Sequence, residues 1–263
     1  MLPAGTKIAS VTLAVADLDR SLRFYRDLAG LKEIRRGANM VALGADAEPI
    51  LHLIEERDAI APPSRATGLY HTAILYPDRA SLARVIRHIA SSGYAFTGAS
   101  DHLVSEAFYL DDPDGLGVEL YRDRPRSEWR LEGGSIQMAS LPLDIDDVLA
   151  SADRPFDGAS PGTRVGHIHL KVSDIARAEA FYLGDVGFSP VTRYGSSATF
   201  LAAGGYHHHI GANTWHSLAA SPAPPGHAGL RSFVIDTPNA ASRELVDPWG
   251  HRVTLHDVSA QTP

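Results

Sequence analysis

Apolar positions along the chain change rhythm at regular intervals. Ile8 to Val15 and Val165 to Val172 are β-prone apolar runs. Each is followed by an aspartate fit to cap a helix (Asp17, Asp174), a stretch of helical period, and a glycine where that helix should stop (Gly30, Gly187). Strand-like segments come next, at Met40 to Leu43, Ile50 to Ile54, Ala198 to Leu201 and Tyr206 to Ile210. The two stretches are copies of one another at a constant offset: Val15, Asp17, Arg20, Phe24 and Tyr25 recur as Val172, Asp174, Arg177, Phe181 and Tyr182. An internal repeat of this kind determines the fold class.

A second pair of units is more divergent. One opens at Gly68-Leu-Tyr-His71, continues through a helical stretch from Arg79 to Ile89, and closes on the turn Asp112-Pro-Asp-Gly115 followed by Val118-Glu119-Leu120. The other opens at Gly229-Leu-Arg-Ser232 and reaches its Asp247-Pro-Trp-Gly250 turn much sooner, so a helix and a neighbouring strand should be missing from it. The pattern predicts an α+β protein of four βαβββ units, at 7–55, 68–124, 165–215 and 229–257, forming two curved-sheet domains with the fourth unit truncated. Residues 125–164 form an inter-unit linker crossing the surface, with a short helix at Asp144 to Ser151.

Composition narrows the chemistry. The 263 residues carry a net charge of −7, which disfavours a nucleic-acid partner. No apolar run approaches membrane-span length, and Met1 to Asp19 lacks a secretion signal, so a cytoplasmic protein is expected. There is no cysteine, which removes thiolate ligands and nucleophiles and leaves imidazole and carboxylate as metal donors. Thirteen histidines are present.

Units that curve around a cavity turn equivalent strand positions inward. At those positions units two and three carry His71, Glu119 and, on aligning Gly166-His-Ile-His169 with Gly68-Leu-Tyr-His71, His169. Units one and four carry Thr12, Ser232 and Thr254 instead. Two imidazoles and a carboxylate form the facial triad of non-haem iron(II) oxygenases, with three open metal positions. His167 shares a strand face with His169 and is assigned to the cavity mouth or to supporting the ligands. Any one histidine of this kind is more often structural; the segregation into two units carries the metal reading. In the His207-His208-His209 run, alternation sets His208 opposite its neighbours, but the parity that faces inward stays open.

Together these segments resemble the vicinal-oxygen-chelate superfamily, which includes glyoxalase I, bleomycin-resistance proteins and extradiol dioxygenases, and most of all its catechol-2,3-dioxygenase-like branch. The resemblance rests on Gly68-Leu-Tyr-His71, Asp101-His102 to Tyr109, Asp112 to Arg126, Gly166 to Leu170 and Gly204 to Trp215. It implies an extradiol ring-cleaving dioxygenase of aromatic catabolism, with Fe(II), or alternatively Mn(II), held by His71, His169 and Glu119. It implies a catalytic histidine best matched by His208, an active-site tyrosine ten residues before the metal glutamate, at Tyr109, and a supporting histidine at His102. The partners implied are a catechol-like molecule and O2, and a homo-oligomer is compatible. Because the ligands fall in units two and three, a crossed pairing is expected, two with three and one with four. A glyoxalase-type isomerase or lyase, or a metal-free small-molecule binding module, remain the alternative readings.

Overall fold

The computed structural model describes residues 1–259. Unit one runs β1 (Lys7–Val15), α1 (Leu18–Leu22, widening into a π turn over Arg23–Leu28), β2 (Lys32–Arg36), β3 (Met40–Gly44) and β4 (Leu51–Glu55). Unit two runs β5 (Gly68–Leu75), α2 (Arg79–Ser91), β6 (Gly98–Asp101), β7 (Ser105–Asp111) and β8 (Gly117–Asp123). The linker holds a small ribbon, β9 (Leu131–Glu132) and β10 (Ser135–Ile136), and α3 (Ile145–Ala150). Unit three runs β11 (Arg164–Lys171), α4 (Ile175–Glu179, again widening over Ala180–Val186), β12 (Ser189–Tyr194), β13 (Ala198–Ala202) and β14 (Ile210–Asn213). Unit four is β15 (Gly229–Thr237), β16 (Arg243–Val246) and β17 (Arg252–Asp257), with no helix among the described residues.

The helices begin where the aspartates dictate. Asp17, Asp78 and Asp174 accept from the backbone N–H of Arg20, Ser81 and Arg177, occupying a donor that the first turn cannot satisfy internally. The π turns in α1 and α4 fall at the repeated Phe-Tyr pair, and both rings of each pair are buried.

Strand order shows the crossed arrangement. A seven-stranded sheet runs β16-β17-β15-β1-β4-β3-β2 and an eight-stranded sheet runs β12-β13-β14-β11-β5-β8-β7-β6. Unit one is thus joined to unit four by the antiparallel pair β1–β15, and unit two to unit three by the antiparallel pair β5–β11. The two sheets share one apolar core, including Val11, Leu13, Leu53, Ile74, Leu120, Ile168 and Phe233. Among the described residues no helix is long and apolar enough to cross a membrane.

The sheets are also tied side chain to side chain across repeats. Tyr25 of unit one donates to Asp112 of unit two at 2.9 Å, and Tyr182 of unit three donates to Asp247 of unit four at 2.9 Å. Both aspartates organise the same turn. Asp112 Oδ1 accepts from the N–H of Asp114 and Leu116, and Asp247 Oδ1 from those of Trp249 and His251.

One expected strand is shorter than its pattern suggested. Residues 206–209 lie outside any strand, and β14 starts only at Ile210. The three imidazoles are all buried, at 0%, 8% and 4% exposure; His207 meets Asp123 and His208, and His209 accepts from the Ala203 N–H, an arrangement that flat alternation could not supply.

Candidate active site

The centre of the eight-stranded sheet brings side chains from three adjacent strands onto one face. Register places Glu119 of β8 beside Ala73 of β5, and Ala73 beside His167 of β11. The next row holds Gly117, His71 and His169. The small Ala73 leaves room for its two neighbours to reach one another. Gly117 is required beside His71, because a Cβ there would lie 2.1 Å from the Tyr70 carbonyl oxygen.

Three donor atoms converge. His71 Nε2 lies 2.9 Å from Glu119 Oε2, His167 Nε2 lies 3.2 Å from the same oxygen, and the two nitrogens are 3.2 Å apart. All three residues are buried. The converging set contains His167 where His169 was expected, and His169 lies in the neighbouring row, its Nε2 accepting from the Asn213 amide at 3.0 Å. Aligning the repeats on their glycines pairs His169 with His71, and the two do pair across β5–β11. Contact with the carboxylate is decided by the row that Glu119 occupies, two residues away.

Burial alone would raise the Glu119 carboxyl, but the His167 and His71 imidazoles reverse this and hold it well below its usual range. Burial draws His167 down to about 4 and His169 well below its ordinary value, so both stay neutral at neutral pH. One carboxylate and two imidazoles form a donor set suited to a divalent cation. Without a cation, both N–H groups would have to point at one carboxylate oxygen while facing each other at 3.2 Å. With ligand distances of about 2.1 Å and right angles at an ion, donor–donor edges of about 3 Å are required, which the triangle matches. The residues fit a metal.

The set opens into a cavity of about 550 Å³. Its walls include Tyr70, Tyr194, Phe200 and Trp215, and the linker contributes Met138 and Ser140. Of the triple-histidine run, His208 borders this cavity. Its ring lies 4.0 Å from that of His167, centre to centre. A chain of hydrogen bonds sets its tautomer. Asp123 Oδ1 lies 2.8 Å from His207 Nε2, and His207 Nδ1 lies 2.8 Å from His208 Nδ1. With Asp123 accepting from His207 Nε2–H, His207 Nδ1 accepts from His208 Nδ1–H, and His208 Nε2 is left with a free lone pair. Burial, then the neighbouring imidazoles, keep His208 neutral to well below its usual range.

His102 sits on the turn between β6 and β7, where Leu103 adopts a left-handed φ of 68°. Its Nδ1 is 2.6 Å from the Ala139 carbonyl and its Nε2 is 2.6 Å from the Tyr109 hydroxyl. The carbonyl can only accept, so Nδ1 carries the proton and Tyr109 donates to Nε2. Burial, and then the Glu119 charge, raise the Tyr109 hydroxyl well above its usual value, so it remains a phenol. Both residues line the cavity beside His71.

Sequence reasoning missed Asp123, the roles of His207 and Asn213, and the linker's place in the site. Strand parity could have found Asp123, since Glu119, Tyr121 and Asp123 fall on one face of β8. Asn213 and Ala139 carry no comparable signal.

Comparison with known proteins follows the same lines. Residues 7–120 match the family model of the Glyoxalase/Bleomycin resistance protein/Dioxygenase superfamily. The chain is 42% identical over 246 residues to catechol-2,3-dioxygenase of Bacillus subtilis (strain 168), covering 92% of this chain and 86% of that protein. It is 26% identical over 223 residues to biphenyl-2,3-diol 1,2-dioxygenase of Pseudomonas sp. (strain KKS102), covering 77% and 67%. Among solved structures, glyoxalase I from Zea mays superposes with a TM-score of 0.58 at 19% identity, covering 96% and 92%, a likeness of fold alone. With its four-unit crossed fold and its match over nearly the whole of a curated relative, the chain belongs to the glyoxalase, bleomycin-resistance and dioxygenase superfamily, the vicinal-oxygen-chelate proteins, on the catechol-2,3-dioxygenase-like branch.

Proposed function

We propose that this chain is an iron(II)-dependent extradiol dioxygenase that opens catechol-like rings next to the diol. The observation that carries the reading is the convergence of His71, His167 and Glu119 on one point at the edge of a cavity that also holds His208 and Tyr109. Net, one catechol and one O2 give one ring-opened semialdehyde acid: a ring carbon–carbon bond beside the diol breaks, and both oxygen atoms enter the product.

His71, His167 and Glu119 would hold the metal. When bound, iron(II) supplies a cation that acidifies the catechol hydroxyls and a redox centre able to engage dioxygen. His208 Nε2, with its lone pair free, accepts a proton from a catechol hydroxyl and later returns it. The Asp123–His207 chain holds His208 in that tautomer and stabilises the charge it gains. Tyr109, fixed by His102, holds its hydroxyl beside the His71 ring, where it orients the diol. Phe200 and Trp215 wall the ring and limit water.

Anaerobic loading with Fe(II) or Mn(II), followed by catechol and air, tests this. Expected are one O2 consumed per catechol and a coloured ring-opened product. Loaded protein that consumes no O2 with any catechol, yet isomerises a thiohemiacetal, would transfer the reading to a glyoxalase-type reaction.

A further inference from the structure

A second cavity, of about 390 Å³, lies between the two sheets. It is roofed where two connectors run side by side: Thr67 N–H donates to the Ser221 carbonyl at 3.0 Å, Ile60 N–H to the Gly226 carbonyl at 3.0 Å, and Ala228 N–H to the Ile60 carbonyl at 2.9 Å. Two polar groups on its wall lack partners. The Thr67 hydroxyl is 96% buried and has no hydrogen-bond partner. The Lys171 ammonium, half-buried at the end of β11, meets no carboxylate and no hydrogen-bond acceptor among the described residues. The other cation on the wall, Arg231, is already taken by both oxygens of Glu56, at 2.9 and 2.7 Å. Leu69, Leu116 and Trp249 supply apolar surface.

An unpaired half-buried cation and an idle buried hydroxyl both carry a cost, and both are relieved by one anionic acceptor. We infer that this cavity is a binding site for a small organic carboxylate, its oxygens taken by Lys171 and the Thr67 hydroxyl and its apolar part set against Trp249 and the two leucines. The volume falls in the range of small-molecule sites. Burial lowers the Lys171 ammonium from its ordinary value, and an ion-paired carboxylate would reverse that. The site is built on the same strands as the first cavity. Gly68 and Leu69 border the second cavity and Tyr70 and His71 the first; Lys171 ends the strand that carries His167; Leu116 precedes Gly117.

Calorimetric titration of the full chain with benzoate, and with benzamide as its uncharged counterpart, tests the inference without reference to catalysis. Benzoate should saturate one site per chain and bind on the order of ten- to a hundred-fold more tightly than benzamide. Lys171→Met should abolish that preference, Lys171→Arg should retain it, and Thr67→Val should weaken benzoate. Equal affinity for benzoate and benzamide, absence of saturable binding, or unchanged benzoate affinity in folded Lys171→Met would overturn it. The benzoate–benzamide comparison needs no variant and stands even if Lys171→Met fails to fold.

Discussion

The two Asp-Pro-x-Gly turns offer a direct test of how one neighbour sets the charge of a buried group. Asp112 and Asp247 make matching hydrogen bonds to their turns and each accepts from a tyrosine. They differ at the residue four positions on, which is Leu116 in one turn and His251 in the other, with His251 Nδ1 2.8 Å from Asp247 Oδ2. Burial pushes the Asp112 carboxyl up from 3.8 to about 6. Burial also acts upward on Asp247, but the His251 imidazole outweighs it and the carboxyl lies below its ordinary value. The two groups therefore shape stability in opposite directions. Asp112, raised on folding, contributes fully below pH 3.8 and loses that contribution as pH climbs through about 6. Asp247, lowered on folding, contributes above its unfolded value of 3.8 and loses that contribution as pH falls. In His251→Leu, Asp247 should behave as Asp112 does. A carboxyl moved from 3.8 to about 6 costs about 3 kcal/mol when ionised. Urea unfolding of His251→Leu should therefore show a loss of about that size against the parent at pH 8 and a much smaller one at pH 4. Leu116→His should stabilise at pH 8. An equal loss for His251→Leu at both pH values would mean that the imidazole acts through packing, and the electrostatic account would fail.

Three further outcomes are expected. His71→Ala, His167→Ala and Glu119→Ala should each lose most bound iron by metal analysis while His169→Ala keeps it; loss of iron only in the His169 variant would return the third ligand to that position. His208→Gln should keep its iron and turn over on the order of 10²–10⁴-fold more slowly, read as oxygen uptake at saturating catechol; an unchanged rate would remove His208 from proton transfer. The first cavity is bordered by the carboxylates of Asp111 and Glu119 and, among the described residues, by no lysine or arginine, so 3,4-dihydroxybenzoate should show kcat/KM at least about ten-fold below catechol, and parity between them would contradict this electrostatic reading.

Much of this architecture was legible in the chain because it repeats. The Asp17/Asp174 caps, the Phe-Tyr pairs and the two Asp-Pro-x-Gly turns mark equivalent points, and the segregation of His71 and Glu119 into unit two with the histidines of unit three pointed to the crossed sheets. What was not legible depends on register across strands. Choosing between His167 and His169, which share a face, requires knowing that Glu119 lies in the row of Ala73. The apolar and aromatic neighbours of the triple-histidine run fit a strand, whereas the contacts of its buried imidazoles hold it outside one. Linker residues such as Ala139 act through a backbone carbonyl, which no side-chain pattern records.

The crossed pairing has a consequence for what kind of object this molecule is. Units one and two precede the linker, units three and four follow it, and neither half contains a whole sheet. Each half completes the other through two antiparallel strand pairs, β1–β15 and β5–β11, as two subunits would across a two-fold axis. The donor set straddles that seam, with His71 and Glu119 from the first half and His167 from the second. The chain is built like a dimer whose subunits are covalently tethered, and the donor set is an interface site. Cutting the tether within residues 125–164 would turn metal affinity, a property of one chain, into a quantity that rises with fragment concentration.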